Sequence, residues 1–327
     1  MSDEPTAPLP EPSPWTVRAD DGWELSVLDF HPSREPWACV LLGHAMMVDR
    51  RTLCRPDRET LAARLCHAGI RVFAADARGH GSSGPLAHEG GRWGYDELVD
   101  DTGPLVDHVR RIAPDTPLVL MGHSLFGHTS LAWLGMHPDA PVDAIVHFGS
   151  TVWAPDLEPH PIKWWAKSAL LRGTAALASL LGNAPVRRIG MGNMDEPSAY
   201  WNDYIGMSRR GCWSRRDGLP YAEGLSALDL PALIISSAAD RHFGNPREID
   251  AFTAPLGAKR ELLPLGSLDD DDPLHDLVPD HMGMITDTLS RPLWDHVGGW
   301  LEERFRSDLS PPSKDAKPMT ALPTESS

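Results

Sequence analysis

The chain has 327 residues, 41% of them apolar, and carries 46 Asp and Glu against 30 Lys and Arg, a formal net charge of −16. That length and apolar fraction can bury one large core or two domains, while the negative charge opposes non-specific attraction to nucleic acid or to an anionic membrane. No apolar run approaches the roughly 18 to 20 uninterrupted residues of a membrane span, and Cys39, Cys54, Cys66 and Cys212 form no C-x-x-C pair, so they read as buried free thiols rather than a disulfide framework or zinc site.

Residues 1–14 are rich in Pro and acid, lack hydrophobic periodicity and read as a disordered leader. They have neither a basic start nor an apolar core of a secretory signal, so the expected compartment is cytoplasmic. From Trp15, the runs W-T-V-R-A and W-E-L-S-V-L-D-F flank Asp20-Asp21-Gly22, a strong hairpin signal. Ala38 to Met47, A-C-V-L-L-G-H-A-M-M, is a buried-strand run that ends in Gly43-His44-Ala45. Glu59 to Ala68 carries a helical stripe of Leu61, Ala62, Leu65 and Cys66, closed by Gly69. A further buried strand, I-R-V-F-A-A, leads into Asp76-Ala77-Arg78-Gly79-His80-Gly81-Ser82-Ser83. Tyr95 to Ile112 then presents Leu98, Thr102, Leu105, Val109 and Ile112 at helical spacing, with a kink predicted at Gly103-Pro104.

The central stretch is Pro117 to Gly127, P-L-V-L-M-G-H-S-L-F-G. Leu118 to Met121 has strand character, and Leu125, Thr129, Ala132 and Met136 share one helical face. Ser124 therefore sits on a sharp strand-to-helix turn. Such a turn lifts the hydroxyl above the sheet and aims the Leu125 N–H at the atom the serine would attack. An ordinary serine in a β-to-α turn is the bland alternative. Val142 to Gly149 reads as the next strand, after which residues 151–224 break the βα rhythm. That segment holds Trp153, Trp164, Trp165, Trp201 and Trp213, Met191, Met194 and Met207, an amphipathic stretch from Ile162 to Leu181, and three Arg pairs at 187–188, 209–210 and 215–216. The rhythm resumes with a strand at Ala232–Ser236 followed by Asp240, a helix from Pro246 to Phe252 opened by Asn245, and a last strand at Lys259–Leu263. An acidic loop, L-D-D-D-D-P, precedes Asp280-His281-Met282-Gly283-Met284, and a final helix carries Leu289, Leu293, Val297, Trp300, Leu301 and Phe305. From Ser307 the Pro-rich tail has the character of the leader.

Several of these stretches together resemble the α/β-hydrolase family, over roughly residues 15–306. Gly122-His123-Ser124-Leu125-Phe126 is similar to its G-x-S-x-G nucleophile elbow, departing from it in placing Phe126 where the second glycine belongs, with Gly127 next. Asp76 to Ser83 closely resembles the family's architectural D-x-R-G-x-G-x-S turn, and the hairpin at the start is how many members begin. The resemblance implies a mostly parallel eight-stranded sheet with helices on both faces and a helical lid, here residues 151–224. It implies Met46, after the strand end that usually reads His-Gly-x, as second oxyanion donor, with Ala45 at the glycine's position. It also implies Asp240 as the acid and His281, followed by Met-Gly, as the base.

A serine hydroxyl is a poor nucleophile at neutral pH, so it needs a neutral imidazole within reach and an anion to fix that imidazole's tautomer. Ser124, Asp240 and His281 supply these roles in the chain order of this fold; His275 and His296 are rivals for the base, Asp269 to Asp272 for the acid. His44, His80 and His123 read as structural hydrogen-bonders. The expectation is a serine hydrolase that cleaves a small-molecule ester or amide with an apolar acyl or ring portion, without metal or organic cofactor. Serine at the elbow argues against the haloalkane dehalogenase branch. An acyltransferase on the same triad, and a ligand-binding module suggested by Phe126 and Ala45, are the alternatives. The lid's Trp and Met side chains could line a substrate pocket or glue the lid to the core, and its Arg pairs could meet a substrate anion or local acids. Oligomeric state is left open.

Overall fold

In the computed structural model, which describes residues 9–155, 157–158 and 160–306, the runs beside Asp20-Asp21-Gly22 pair as an antiparallel hairpin of β1 (Ser13–Arg18) and β2 (Glu24–Phe30). Gly22 makes this turn with φ of 88°, a conformation open to glycine at little cost. β1 opens inside the stretch read as leader; residues 1–8 and the tail 307–327 lie outside the described residues.

Next come β3 (Ala38–Gly43), α1 (Leu61–His67) and β4 (Ile70–Ala75), with Thr60 capping α1 by accepting from the Ala63 N–H. The predicted long helix is divided into α2 (Tyr95–Asp100) and α3 (Thr102–Ile112). The break falls at Asp101, ahead of Gly103-Pro104, because Pro104 has no N–H to give the Asp100 carbonyl and crowds it. β5 (Leu118–His123), α4 (Leu125–Met136) and β6 (Ala144–Phe148) follow. Between β6 and the next sheet strand lie α5 (Pro161–Leu181), the two-residue strands β7 (Asn183–Ala184) and β8 (Glu196–Pro197), which pair with each other, and α6 (Ser198–Arg210). The chain ends with β9 (Ala232–Ser237), α7 (Pro246–Thr253), β10 (Arg260–Leu265), α8 (Gly283–Thr286) and α9 (Arg291–Phe305).

Eight strands form one sheet in the order β1-β2-β4-β3-β5-β6-β9-β10, parallel from β4 to β10. Side chains alternate across it: Cys39 and Leu41 enter one core with α2, α3, α4 and α7, while Val40 and Leu42 enter the other with α1 and α9. β5 is buried on both faces, as a central parallel strand must be. Each of its Leu side chains contributes about 1.5–3 kcal/mol relative to exposure.

Two expectations fail at the surface. Leu289 belongs to the turn before α9 and is exposed. On α5 the buried side is Ser168, Leu171, Ala175 and Ala178, whereas Ile162, Trp165, Leu170 and Leu180 face outward, Trp165 at 73% exposure.

Candidate active site

Ser124 joins β5 to α4 with φ 51° and ψ −104°. A positive φ at a residue with a Cβ costs on the order of 1–3 kcal/mol and persists only where the surroundings impose it. Here they do. The Ser124 N–H donates to the Phe148 carbonyl (2.9 Å), the Phe126 N–H to the His44 carbonyl (3.3 Å), and the His128 N–H to the Ser124 carbonyl (3.2 Å). A Cβ on Gly122 would lie 2.3 Å from the Gly127 nitrogen, so the absent side chain of Gly122 lets strand and helix approach, while a Cβ on Gly127 would meet Ser150 Oγ at 1.9 Å. Phe126 instead turns into the core over Gly43, whose own Cβ would fall 2.0 Å from the Phe126 ring. The ring in the elbow is thus accommodated by a missing side chain on β3. The Leu125 N–H stands at the first position of α4, where no intrahelical acceptor exists and the helix dipole favours negative charge.

Asp240 follows β9 and His281 precedes α8; the His281 Nδ1–H donates to Asp240 Oδ2 at 2.5 Å, with both side chains buried. Burial alone would raise the Asp240 carboxyl, but the hydrogen bond and charge of His281 and the N–H groups of Phe243 and Gly244 hold it below its ordinary range. With Nδ1 committed to the carboxylate, the Nε2 of His281 is left for another partner. The His281 ring is framed by the His123 ring at 4.8 Å, the Phe243 ring at 5.0 Å and the backbone of Gly149. Its carbonyl accepts the His123 Nε2–H at 2.9 Å. Ser124 therefore adjoins the pair through its chain neighbour His123, and among the described residues no hydrogen bond links the Ser124 hydroxyl to His281. Of the rivals, His275 bonds to the Leu268 carbonyl in the acidic loop and His296 is exposed on α9.

The other turn histidines are pegs. His44 Nε2 accepts the Ala77 N–H (3.0 Å) and its Nδ1–H donates to the Ala45 carbonyl (2.7 Å), tying the ends of β3 and β4. Burial pushes its imidazole down to about 4, so it is neutral. Within Asp76 to Ser83, Arg78 pairs with Asp101 and with Asp21 while Asp76 accepts the Arg50 and Ser82 N–H groups, an architectural use of every charge. Arg187 meets Asp195, Arg215 meets Asp100, and Arg216 meets Asp96 and Glu97, so these cations answer local acids.

Met46 lies on the turn after β3, and the residue after it, Met47, has φ of 62°. The Met47 N–H donates to Glu196 Oε1 (2.9 Å), a partner from far along the chain that composition and periodicity do not announce. A small cavity behind the elbow, lined by Gly43, His44, Thr102, Leu125, Phe126 and Thr129 among others, has a volume of about 20 Å³, room for one water and not for an acyl chain. Among the described residues no group of three or more His, Cys, Asp or Glu side chains is placed to hold a metal ion, and no helix is long and apolar enough to cross a membrane.

Residues 57–202, under half of the chain, match the model of the family described as serine aminopeptidase, S33. No curated protein matches the chain by sequence. Among solved structures, a thermophilic esterase from Thermogutta terrifontis with malate bound is 15% identical with a TM-score of 0.56, covering 90% of this chain and 99% of its own. A putative aryl esterase from Burkholderia cenocepacia is 18% identical with a TM-score of 0.55 (89% and 98% covered), and an esterase from Exiguobacterium antarcticum 16% identical with a TM-score of 0.55 (89% and 99% covered).

Proposed function

We propose that this chain, which has the α/β-hydrolase fold, is a serine hydrolase that cleaves a small-molecule carboxylic ester through an acyl-serine intermediate. The observation that carries the reading is the buried His281–Asp240 hydrogen bond beside a serine held in a strained turn at a helix N-terminus. Asp240 fixes the tautomer in which His281 Nε2 is the free, basic nitrogen. That nitrogen takes the Ser124 proton as the hydroxyl oxygen attacks the ester carbonyl, and returns it to the departing alkoxide. Water then repeats the cycle on the acyl-serine, with His281 again the base. The Leu125 and Met46 N–H groups receive the oxyanion in both tetrahedral intermediates, where one such donor is worth about 10²–10³ in kcat.

Phe126 supports this reading rather than opposing it, since its ring packs away over Gly43 and leaves the Leu125 N–H at the helix end. We assign residues 151–224 as the lid. Trp153 stacks on Phe243 at 6.2 Å and Phe243 on His281, an apolar wall suited to an acyl or ring portion. Ester is favoured over amide by the esterase names of three structural neighbours; the aminopeptidase description of the family model keeps amides as the second substrate class. The test is hydrolysis of p-nitrophenyl esters of rising chain length, beside aminoacyl p-nitroanilides, by wild type and Ser124→Ala. Ester turnover lost in the variant is expected; turnover equal in both proteins would rule the reading out.

A further inference from the structure

Met47 is held in a left-handed conformation without the local help that Gly or Asn would bring, so its neighbours must impose it. Those neighbours come from one short segment of the 151–224 insertion. The Met47 carbonyl accepts the N–H groups of Asn193 (2.9 Å) and Met194 (3.0 Å), and its N–H donates to Glu196 Oε1 (2.9 Å). Asn193 Nδ2 also donates to Asp49 Oδ2 at 2.8 Å, fastening the far side of the turn. The segment comes this close because residue 192 is glycine: a Cβ there would lie 2.3 Å from the Met47 oxygen.

Behind the clamp sits a buried Glu–His pair. Glu196 has no exposed surface, and its Oε1 lies 2.9 Å from His80 Nε2. His80 Nδ1 is 2.9 Å from the Arg78 carbonyl, which can only accept, so Nδ1 carries a proton and Nε2 faces the Glu196 carboxyl. Burial opposes a charged imidazole, yet the Glu196 carboxylate raises the His80 imidazole above its ordinary range. A buried pair of this kind costs desolvation and is weak evidence for added stability, so its use is better sought in what it orients.

Building on the hydrolase reading above, we infer that Glu196 and His80 are positioning residues: through Met47 they fix the direction of the Met46 N–H, so that the lid itself sets one donor of the oxyanion hole. Neither touches substrate. Glu196 acts through the backbone it grips, and the lid segment must be seated for the hole to be complete.

The experiment compares wild type, Glu196→Ala, Glu196→Gln and Gly192→Ala. It measures turnover of p-nitrophenyl butyrate, inhibition by a trifluoromethyl ketone whose adduct carries the oxyanion, and amide hydrogen exchange of residues 45–49 against β5 as reference. Glu196→Ala and Gly192→Ala are expected to lose about 10²–10³ in kcat, with KM within about threefold and inhibitor affinity falling in step with kcat. Glu196→Gln, which keeps an acceptor for the Met47 N–H, is expected to recover at least a tenth of wild-type kcat. Exchange at 45–49 is expected to quicken in the Ala variants and not in β5. Folded variants with unchanged exchange at 45–49, or with unchanged kcat and inhibitor affinity, would overturn the inference. If Glu196→Ala does not fold, Gly192→Ala decides, since it disturbs the clamp without removing a charge. A wild type that turns over no ester fails the hydrolase reading instead, and the exchange measurement still judges the clamp.

Discussion

At Ser124 the demand of chemistry and the preference of the backbone conflict: a φ of 51° suits glycine, and the nucleophile stands there instead. Comparing Ser124→Gly with Ser124→Ala isolates this strain, since both lose the hydroxyl. Ser124→Gly is expected to be the more stable of the two by about 1 kcal/mol in chemical denaturation; equal stabilities would show that no strain is stored there. The places of Ser124 and Asp240 at the ends of β5 and β9, and of His281 just before α8, were legible because each lies in a short motif beside a strand or helix signal. Gly43 as the seat of the Phe126 ring, and Gly127 as the partner of Gly122, were not, because a close approach between two strands or a strand and a helix leaves no trace in the order of residues. Glu196 was invisible for the same reason: it reads as one acid among many until the fold carries it, fully buried, to Met47 and His80.

Strands were legible where both faces are buried and the run is continuously apolar. β3, β4, β5 and β9 announced themselves as apolar runs, whereas α5 did not declare its orientation, because its apolar residues surround the helix and small side chains form the contact. A polar contact also ties α5 to the body. Lys167 bonds to Glu248 on α7 (2.6 Å), lies 3.1 Å from Glu158 and sits over the Trp153 ring at 5.5 Å. Burial and the adjacent Glu158 push Glu248 up to about 7 from an ordinary 4.5, although Lys167 pulls it down. The folded state therefore keeps a proton that the unfolded chain has released, and this group's contribution to stability falls as pH rises from about 4.5 to about 7. Glu248→Gln fixes the neutral form. Its Tm is expected to change less than that of wild type between pH 5 and 8, with the larger gain at pH 8; parallel Tm–pH curves for the two proteins would contradict a Glu248 carboxyl that stays protonated in the folded state.

Over the whole molecule, one sheet gathers the ends of β3, β5, β6 and β9 at a single edge, which is where the turn after Gly43, the elbow at Ser124, Gly149 and Asp240 all lie. Burial sorts the cysteines too: Cys39, Cys54 and Cys66 are buried and Cys212 only half-buried, a departure from the reading of all four as buried. Desolvation raises the first three thiols to about 11, 12 and 12, so a disulfide reagent at pH 8 is expected to modify Cys212 alone in the native protein and all four after denaturation. Rapid native reaction of more than one thiol would show that the core opens. The central claim, an activated serine at the elbow, is tested most directly by a fluorophosphonate probe with intact-mass detection on wild type, Ser124→Ala and His281→Ala. One adduct per wild-type chain, absent from both folded variants, is the predicted result; a folded wild type that takes up no probe, or a Ser124→Ala protein that is labelled as wild type is, would contradict it.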